Sequence, residues 1–370
     1  MKIIFLLYSD LNCNSGYHAD IFASRLVGLG HEVMVVHAGN EELSEPLIYR
    51  TSSHADFSAN TRRHLREFRP DIVCAWTPRE VVRLLWEKIC KASSEKYKLV
   101  IHFEDNEVLL AEACQPEIIA AGSNLGFFDP EQGQGFIEQA DGFTFVTDSL
   151  REIMPVGERQ YLTLGAPYDD RLFGQKPRND GWRHEHGIAD DSLVIVYSGN
   201  VHRVNRKDVG FLYQAVESLA EHMSVILVRT GMGMPVEGAE DHLVDLGFVS
   251  RCDLPEIMAA ADLFVQPGRL GPFENYRYPS KIPEMMALGR PIICPELPCL
   301  SAFADREEVF KCEMNHSDDI CEAVTELTST PGLAEKLSEG STQAAEKKCH
   351  PKLKADSLIE FYHQILESKP

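Results

Sequence analysis

The sequence predicts an α/β protein made of two parallel-sheet halves. Apolar, strand-like runs alternate with helical stretches along most of the chain, an order that implies right-handed crossovers and parallel sheets. The pattern then restarts near residue 192 with a second apolar strand followed by a polar loop. The length of 370 residues exceeds one ordinary domain of about 100–200 residues and suits two.

In the first half, Lys2–Tyr8 is a continuous apolar run, as expected for a strand covered on both faces. The polar loop Ser9–Ser15 and Gly16 follow. Ile21, Phe22, Leu26, Val27 and Leu29 then recur at helical spacing until Gly30-His31, and Glu32–His37 is the next strand. Asp71–Trp76, Lys98–Phe103 and Gly142–Val146 are further strands, with Glu80–Ala92 among the helices between them. In the second half, Ser192–Ser198 is a strand, Gly199–Lys207 a polar loop, Phe211–Glu221 a helix and Ser224–Val228 a strand. Strands at Leu243–Phe248, Leu263–Val265 and Pro291–Cys294 and helices at Leu254–Ala261 and Pro283–Leu288 complete it. Pro167, Gly174, Pro177 and Gly181 give the junction Gly165–Asp191 a linker-like composition. In the tail, Leu358, Phe361, Tyr362 and Ile365 form one helical face. Open parallel sheets bind ligands outside the carboxyl ends of their strands, so two halves facing one another would hold the ligand in a cleft between them.

Lys+Arg 36 against Asp+Glu 57 leaves a net charge of −21, which repels nucleic acid phosphates and anionic lipid in the mean field. Nucleic acid binding is therefore not expected. No apolar run approaches the ~20 residues of a membrane span. The apolar start Met1–Leu7 reads as a strand, since Ser9-Asp10-Leu11-Asn12 has no small-residue cleavage pattern. The ten cysteines are scattered without a Cys-x-x-Cys pair, which points to free thiols in a reducing cytoplasm.

Several residues stand where these sheets present their ligand loops. Glu284 opens a helix after Pro279-Ser280-Lys281-Ile282-Pro283; it reads either as a first-turn acid favouring the helix dipole or as an acceptor for two vicinal hydroxyls. His102 ends an apolar strand, where it is either a structural or a substrate-facing imidazole. The cluster Glu104-Asp105-Asn106-Glu107 admits helix capping, a general base or metal ligation. The lack of any Asp-x-Asp counts against the metal reading. His202, Arg203, Arg206 and Lys207 make the loop after Ser198-Gly199-Asn200 basic, either as a solvated surface or as a phosphate site. Arg229-Thr230-Gly231-Met232-Gly233 is a second glycine-bearing turn.

These segments resemble glycosyltransferase family 4, retaining enzymes of the GT-B fold. Gly16 and the helix closing at Gly30-His31-Glu32-Val33 are similar to that family's opening. Leu164–Asp169 with Phe173 resembles its interdomain segment. Gly247-Phe248-Val249 with Leu254–Pro267, and above all Pro283–Ile293, resemble its second-domain core. The resemblance implies two Rossmann-like parallel-sheet domains facing each other across a cleft, with the C-terminal helix returning to the first. It places an acceptor-side domain at 1–170, a nucleotide-sugar donor domain at 171–350 and the returning helix at 351–370. It implies sugar transfer from a nucleoside-diphosphate sugar to a hydroxyl acceptor, with retention. The alternatives are a nucleotide-sugar epimerase of the same fold or a non-catalytic nucleotide-sugar binding protein.

By the same resemblance, Glu284 binds the nucleotide ribose and His102 faces the donor sugar. Asp105 and Glu274 join His102 as catalytic candidates. Gly16, Asn200, Arg203, Arg206, Lys207, Gly231, Asn275, Tyr276, Arg277, Ser280 and Lys281 join Glu284 as donor-binding candidates. The sequence departs from the family twice. Asn200 stands where the family carries an arginine, and Tyr276 stands eight residues before Glu284 where the family carries a glutamate. Glu274 or Asn275 is expected to take over that sugar contact, with Lys281 or Arg277 supporting the diphosphate. Tyr276 and Tyr278 either stack on a sugar or pack beneath the loop. The expectation is a metal-independent enzyme without a resident cofactor, with peripheral membrane contact if its acceptor is lipid-linked.

Overall fold

The computed structural model describes residues 1–39, 47–154 and 156–368. The chain divides into two compact units. One comprises Met1–Pro167, Tyr276–Tyr278 and Pro351–Pro370, and the other Tyr168–Asn275 and Pro279–His350. The last two residues of the expected C-terminal helix lie outside the described residues.

The first unit holds a seven-stranded sheet of β1 (Lys2–Leu7), β2 (Glu32–His37), β3 (Arg50–Ser53), β4 (Ile72–Trp76), β5 (Lys98–Phe103), β6 (Gly142–Phe145) and β7 (Gln160–Thr163). Its order is β3-β2-β1-β4-β5-β6-β7, and all pairs are parallel. The strand pleat sends alternate residues to opposite faces, and both faces are covered. Ile4, Leu6, Val73 and Ile101 enter one core with Phe57 and Phe136. Ile3, Phe5, Cys74 and Val100 enter the other with Phe22 and Trp76. The helix Pro351–Glu367 buries Leu358, Phe361, Tyr362 and Ile365 in that second core and packs on the helix Asn14–Gly28 and on β7. The expected return of the C-terminal helix is observed.

The second unit holds β8 (Leu193–Ser198), β9 (Val225–Thr230), β10 (Leu243–Asp245), β11 (Leu263–Val265), β12 (Ile292–Pro295) and β13 (Phe310–Cys312). The order is β10-β9-β8-β11-β12-β13, again all parallel. In each sheet the strand order reverses once, between β1 and β4 and between β8 and β11, and these reversals mark the ligand-binding crevices of doubly wound sheets.

Several boundaries differ from the expectation. The first helix starts at Asn14, so Gly16 lies in its first turn rather than before it; Cys13 caps that turn by accepting from Gly16 N. The helix expected from Phe211 starts at Arg206, which puts Arg206 and Lys207 in its first turn and not in the preceding loop. Periodicity detects only the buried face, and first turns are often polar. The strand from Leu243 stops at Asp245, and the helix from Leu254 ends at Met258. Strands β3, β7 and β13 were not foreseen: β3 and β7 are four residues each, β13 is three, and all three lie at sheet edges with only partial burial.

Candidate functional site

In the first unit, chemistry-bearing residues collect at the carboxyl ends of β1, β4 and β5. Glu104, just past β5, lies 3.0 Å from His18 Nδ1, accepts from Trp76 Nε1 at 3.0 Å and closely accepts from Ser15 Oγ. Burial pushes its pKa up, but the bond and charge of His18, with smaller contributions from His102 and Ser15, hold it at about 2. Gly16 is required in this first helical turn because a Cβ there would lie 2.4 Å from the Asp10 carbonyl oxygen.

His102 is 3% exposed, and its Nδ1 lies 2.8 Å from Thr144 Oγ1. Its ring centroid is 4.4 Å from that of Trp76. Burial lowers its pKa to about 4 against the pull of Glu104, so the imidazole is neutral near pH 7. Asp105 moves the other way: burial raises its carboxyl against the opposing charges of Arg79 and Arg277. Arg79 grips Glu107 from Nε at 2.9 Å and Nη2 at 3.3 Å, lies 3.9 Å from Asp105, and covers the Tyr8 ring at 3.8 Å.

The acidic cluster thus divides its roles. Asn106 caps the helix Glu107–Ala113 by accepting from Leu109 N at 3.2 Å, Glu107 binds Arg79, and Glu104 is occupied by its three donors. Among the described residues, no group of three or more His, Cys, Asp or Glu is arranged to hold a metal ion.

In the second unit, Glu284 is 4% exposed in the helix Ile282–Ala287. Arg251 Nη2 donates to its Oε1 at 2.6 Å. Lys281 Nζ lies 3.3 Å from Oε2, which accepts no directed hydrogen bond. Burial raises the Glu284 pKa, but Lys281 and Arg251 together bring it below the ordinary carboxylate value.

The loops after β8 and β9 are joined. Asn200 Oδ1 accepts from Met232 N at 2.8 Å, and Val201 N donates to the Met232 carbonyl at 2.9 Å. Gly231 has φ 108°, and a Cβ on it would lie 2.5 Å from the Gly199 carbonyl oxygen. Of the neighbouring cations, Arg206 Nε donates to the Pro235 carbonyl, Lys207 lies 5.4 Å from the Phe211 ring centroid, and Arg203 is exposed. Asn275 Oδ1 accepts from Gly271 N at 3.2 Å, and the Glu274 carboxylate rests against Gly271. Ser280 is half-buried.

The structure therefore brings His102 and Asp105 into one cluster, Lys281 and Glu284 into a second, and Asn200 and Gly231 into a third. Tyr276 and Tyr278 pack against the core of the first unit, and Arg277 acts on Asp105 there. Sequence reasoning passed over Ser15, His18, Trp76, Arg79 and Arg251. Arg251 lies 33 residues from its partner, and no local pattern links the two.

Residues 192–330 match the family described as Glycosyl transferases group 1. No curated protein matches the chain in sequence. Sucrose-phosphate synthase (tll1590) from Thermosynechococcus elongatus superposes with a TM-score of 0.74 at 13% identity, covering 100% of both chains. Anabaena HepE (Alr3699), solved with UDP and glucose, has a TM-score of 0.73 at 16% identity, covering 97% of this chain and 98% of that one. S. aureus MnaA, solved with UDP, has a TM-score of 0.61 at 13% identity over 100% and 99% of the two chains. At these identities the likeness establishes the fold. The fold is that of GT-B glycosyltransferases, and residues 192–330 carry the likeness to the group 1 family.

Proposed function

We propose that this enzyme transfers a sugar from a uridine-diphosphate sugar to a hydroxyl acceptor with retention of anomeric configuration. The observation that carries the proposal is Glu284, a buried carboxylate in the matched domain with one oxygen bound by Arg251 and the other without a directed hydrogen bond. A buried carboxylate oxygen that faces Lys281 but accepts no directed hydrogen bond suits a ribose hydroxyl. The UDP and glucose bound by HepE and the UDP bound by MnaA support the choice of nucleotide, and the family 4 resemblance supports retention.

In this reading the second unit holds the donor. Glu284 takes the ribose, Lys281 and Arg203 face the diphosphate, and the backbone around Gly231 allows close approach of the nucleotide. A diphosphate leaving group gains negative charge, and fixed cations stabilise it as it forms. The first unit holds the acceptor. Neutral His102 supplies a hydrogen bond to the sugar or acceptor, and Asp105, with its carboxyl raised by burial, takes the acceptor proton. The nucleotide sugar is a substrate and the reaction needs no resident cofactor. Among the described residues no helix is long and apolar enough to cross a membrane, and a lipid-linked acceptor would be met peripherally.

The test is a thermal-shift screen of UDP-, GDP-, ADP- and CMP-sugars, followed by nuclear magnetic resonance of the product's anomeric proton. Stabilisation by a UDP-sugar and a product of retained configuration are expected, because a ligand that binds only the native state raises its stability. Stabilisation by another nucleotide alone, or an inverted product, would overturn the corresponding half of the proposal.

A further inference from the structure

The turn that leaves β4 at the strand-order reversal of the first sheet carries a backbone outlier. Thr77 has φ 74°, and of the four non-glycine residues with positive φ among those described it alone is β-branched. That region of backbone space is strained for a branched side chain, and the following Pro78 narrows the choices of Thr77 further. The side chain is fully buried and its Oγ1 has no hydrogen-bond partner. A glycine would adopt the same backbone without strain and leave no unbonded hydroxyl.

What the turn holds gives this outlier its meaning. Trp76, immediately before it, donates its indole N–H to Glu104 and packs its ring beside His102. The Thr77 amide donates to the His102 carbonyl at 3.0 Å. Arg79, two residues on, binds Glu107 and lies within 4 Å of Asp105. One short turn therefore fixes, through contacts made by three residues, the run of residues that the proposed reaction draws on. A glycine there would leave the turn free to sample other backbone states; a buried, branched side chain does not.

We propose that Thr77 is a positioning residue, whose buried side chain locks a strained turn and thereby fixes His102 and Glu104 relative to each other. The proposal rests on the role given to His102 in sugar transfer, but it also predicts a signature of the ligand-free protein.

The test compares Thr77→Gly, which frees the turn, with Thr77→Val, which keeps the branch and removes the hydroxyl. Hydrogen exchange of the Trp76 indole is followed by nuclear magnetic resonance, with the signal assigned by Trp76→Phe. In the parent this proton should be protected. Thr77→Gly should speed its exchange at least about tenfold and lower kcat by about tenfold with the donor KM within about twofold, the pattern of a displaced reacting group. Thr77→Val should leave exchange and kcat within about twofold of the parent. Unchanged indole exchange in Thr77→Gly would overturn the proposal, as would losses in Thr77→Val equal to those in Thr77→Gly, since these would assign the effect to the hydroxyl. If Thr77→Gly does not fold, the parent alone decides: exchange as fast as that of an exposed indole would sink the idea. If the parent turns over no nucleotide sugar, the transfer reading fails and the exchange measurements still judge Thr77.

Discussion

Arg251 Nη2 donates to Glu284 Oε1 at 2.6 Å, joining two largely buried side chains 33 residues apart in sequence. Arg251→Ala leaves the Glu284 carboxylate with Lys281 as its one remaining cation. Breaking a buried ion pair by removing one partner costs about 3–5 kcal/mol, and urea unfolding should show a loss of that order. Glu284→Gln should instead weaken nucleoside-diphosphate binding by about 1–3 kcal/mol, since a charge-assisted acceptor becomes neutral. Unchanged affinity in calorimetry would remove Glu284 from the ribose site.

His102 links stability to pH. Its folded pKa of about 4 lies below the 6.5 of the free side chain, so the unfolded chain takes up the proton first. The contribution is complete above pH 6.5 and is lost as pH falls towards 4, amounting to about 2 kcal/mol between pH 7 and 5. His102→Asn should lack this part of the acid sensitivity in urea unfolding at the two pH values. His102→Ala should lower kcat by about 100-fold while the fold survives; turnover within threefold of the parent would make the residue structural.

Gly231→Ala would force a side chain onto a backbone with φ 108° and a Cβ 2.5 Å from the Gly199 carbonyl oxygen. The two loops after β8 and β9 must then separate. Thermal unfolding should shift down by several degrees, and UDP affinity should fall by about tenfold or more. Wild-type affinity would place the nucleotide elsewhere.

Activity should survive EDTA. The sequence has no Asp-x-Asp, and Arg203 and Lys281 are the groups proposed to meet the leaving diphosphate in place of a metal. Loss of turnover in EDTA with recovery in magnesium or manganese would direct attention to Glu104 and Asp105.

Glu274 stands two residues before the position where the family carries its first glutamate. Glu274→Ala should reduce donor turnover far more than it reduces binding of bare UDP, whereas Lys281→Ala should weaken both. Equal effects of Glu274→Ala on binding and turnover would remove it from the sugar contact.

The sequence by itself determined the two parallel sheets, because strands buried on both faces must be continuously apolar: β1, β5 and β11 are visible as such runs. It also determined the helical face Leu358–Ile365, written in local spacing, and the resemblance to glycosyltransferase family 4 around Glu284. Only the tertiary structure decided which side chains meet. Trp76 reaches Glu104 because β4 and β5 are paired in parallel with Trp76 opposite His102. His18 and Ser15 reach it from the first turns of a helix 86 and 89 residues away in the chain. The edge strands β3, β7 and β13 escaped sequence reading because half-covered strands need no apolar run. The strain at Thr77 escaped it because a backbone angle is set by what the folded chain packs around it. Periodicity records burial along one element, while a site is made of contacts between elements, whose register and order exist only after the sheets have formed.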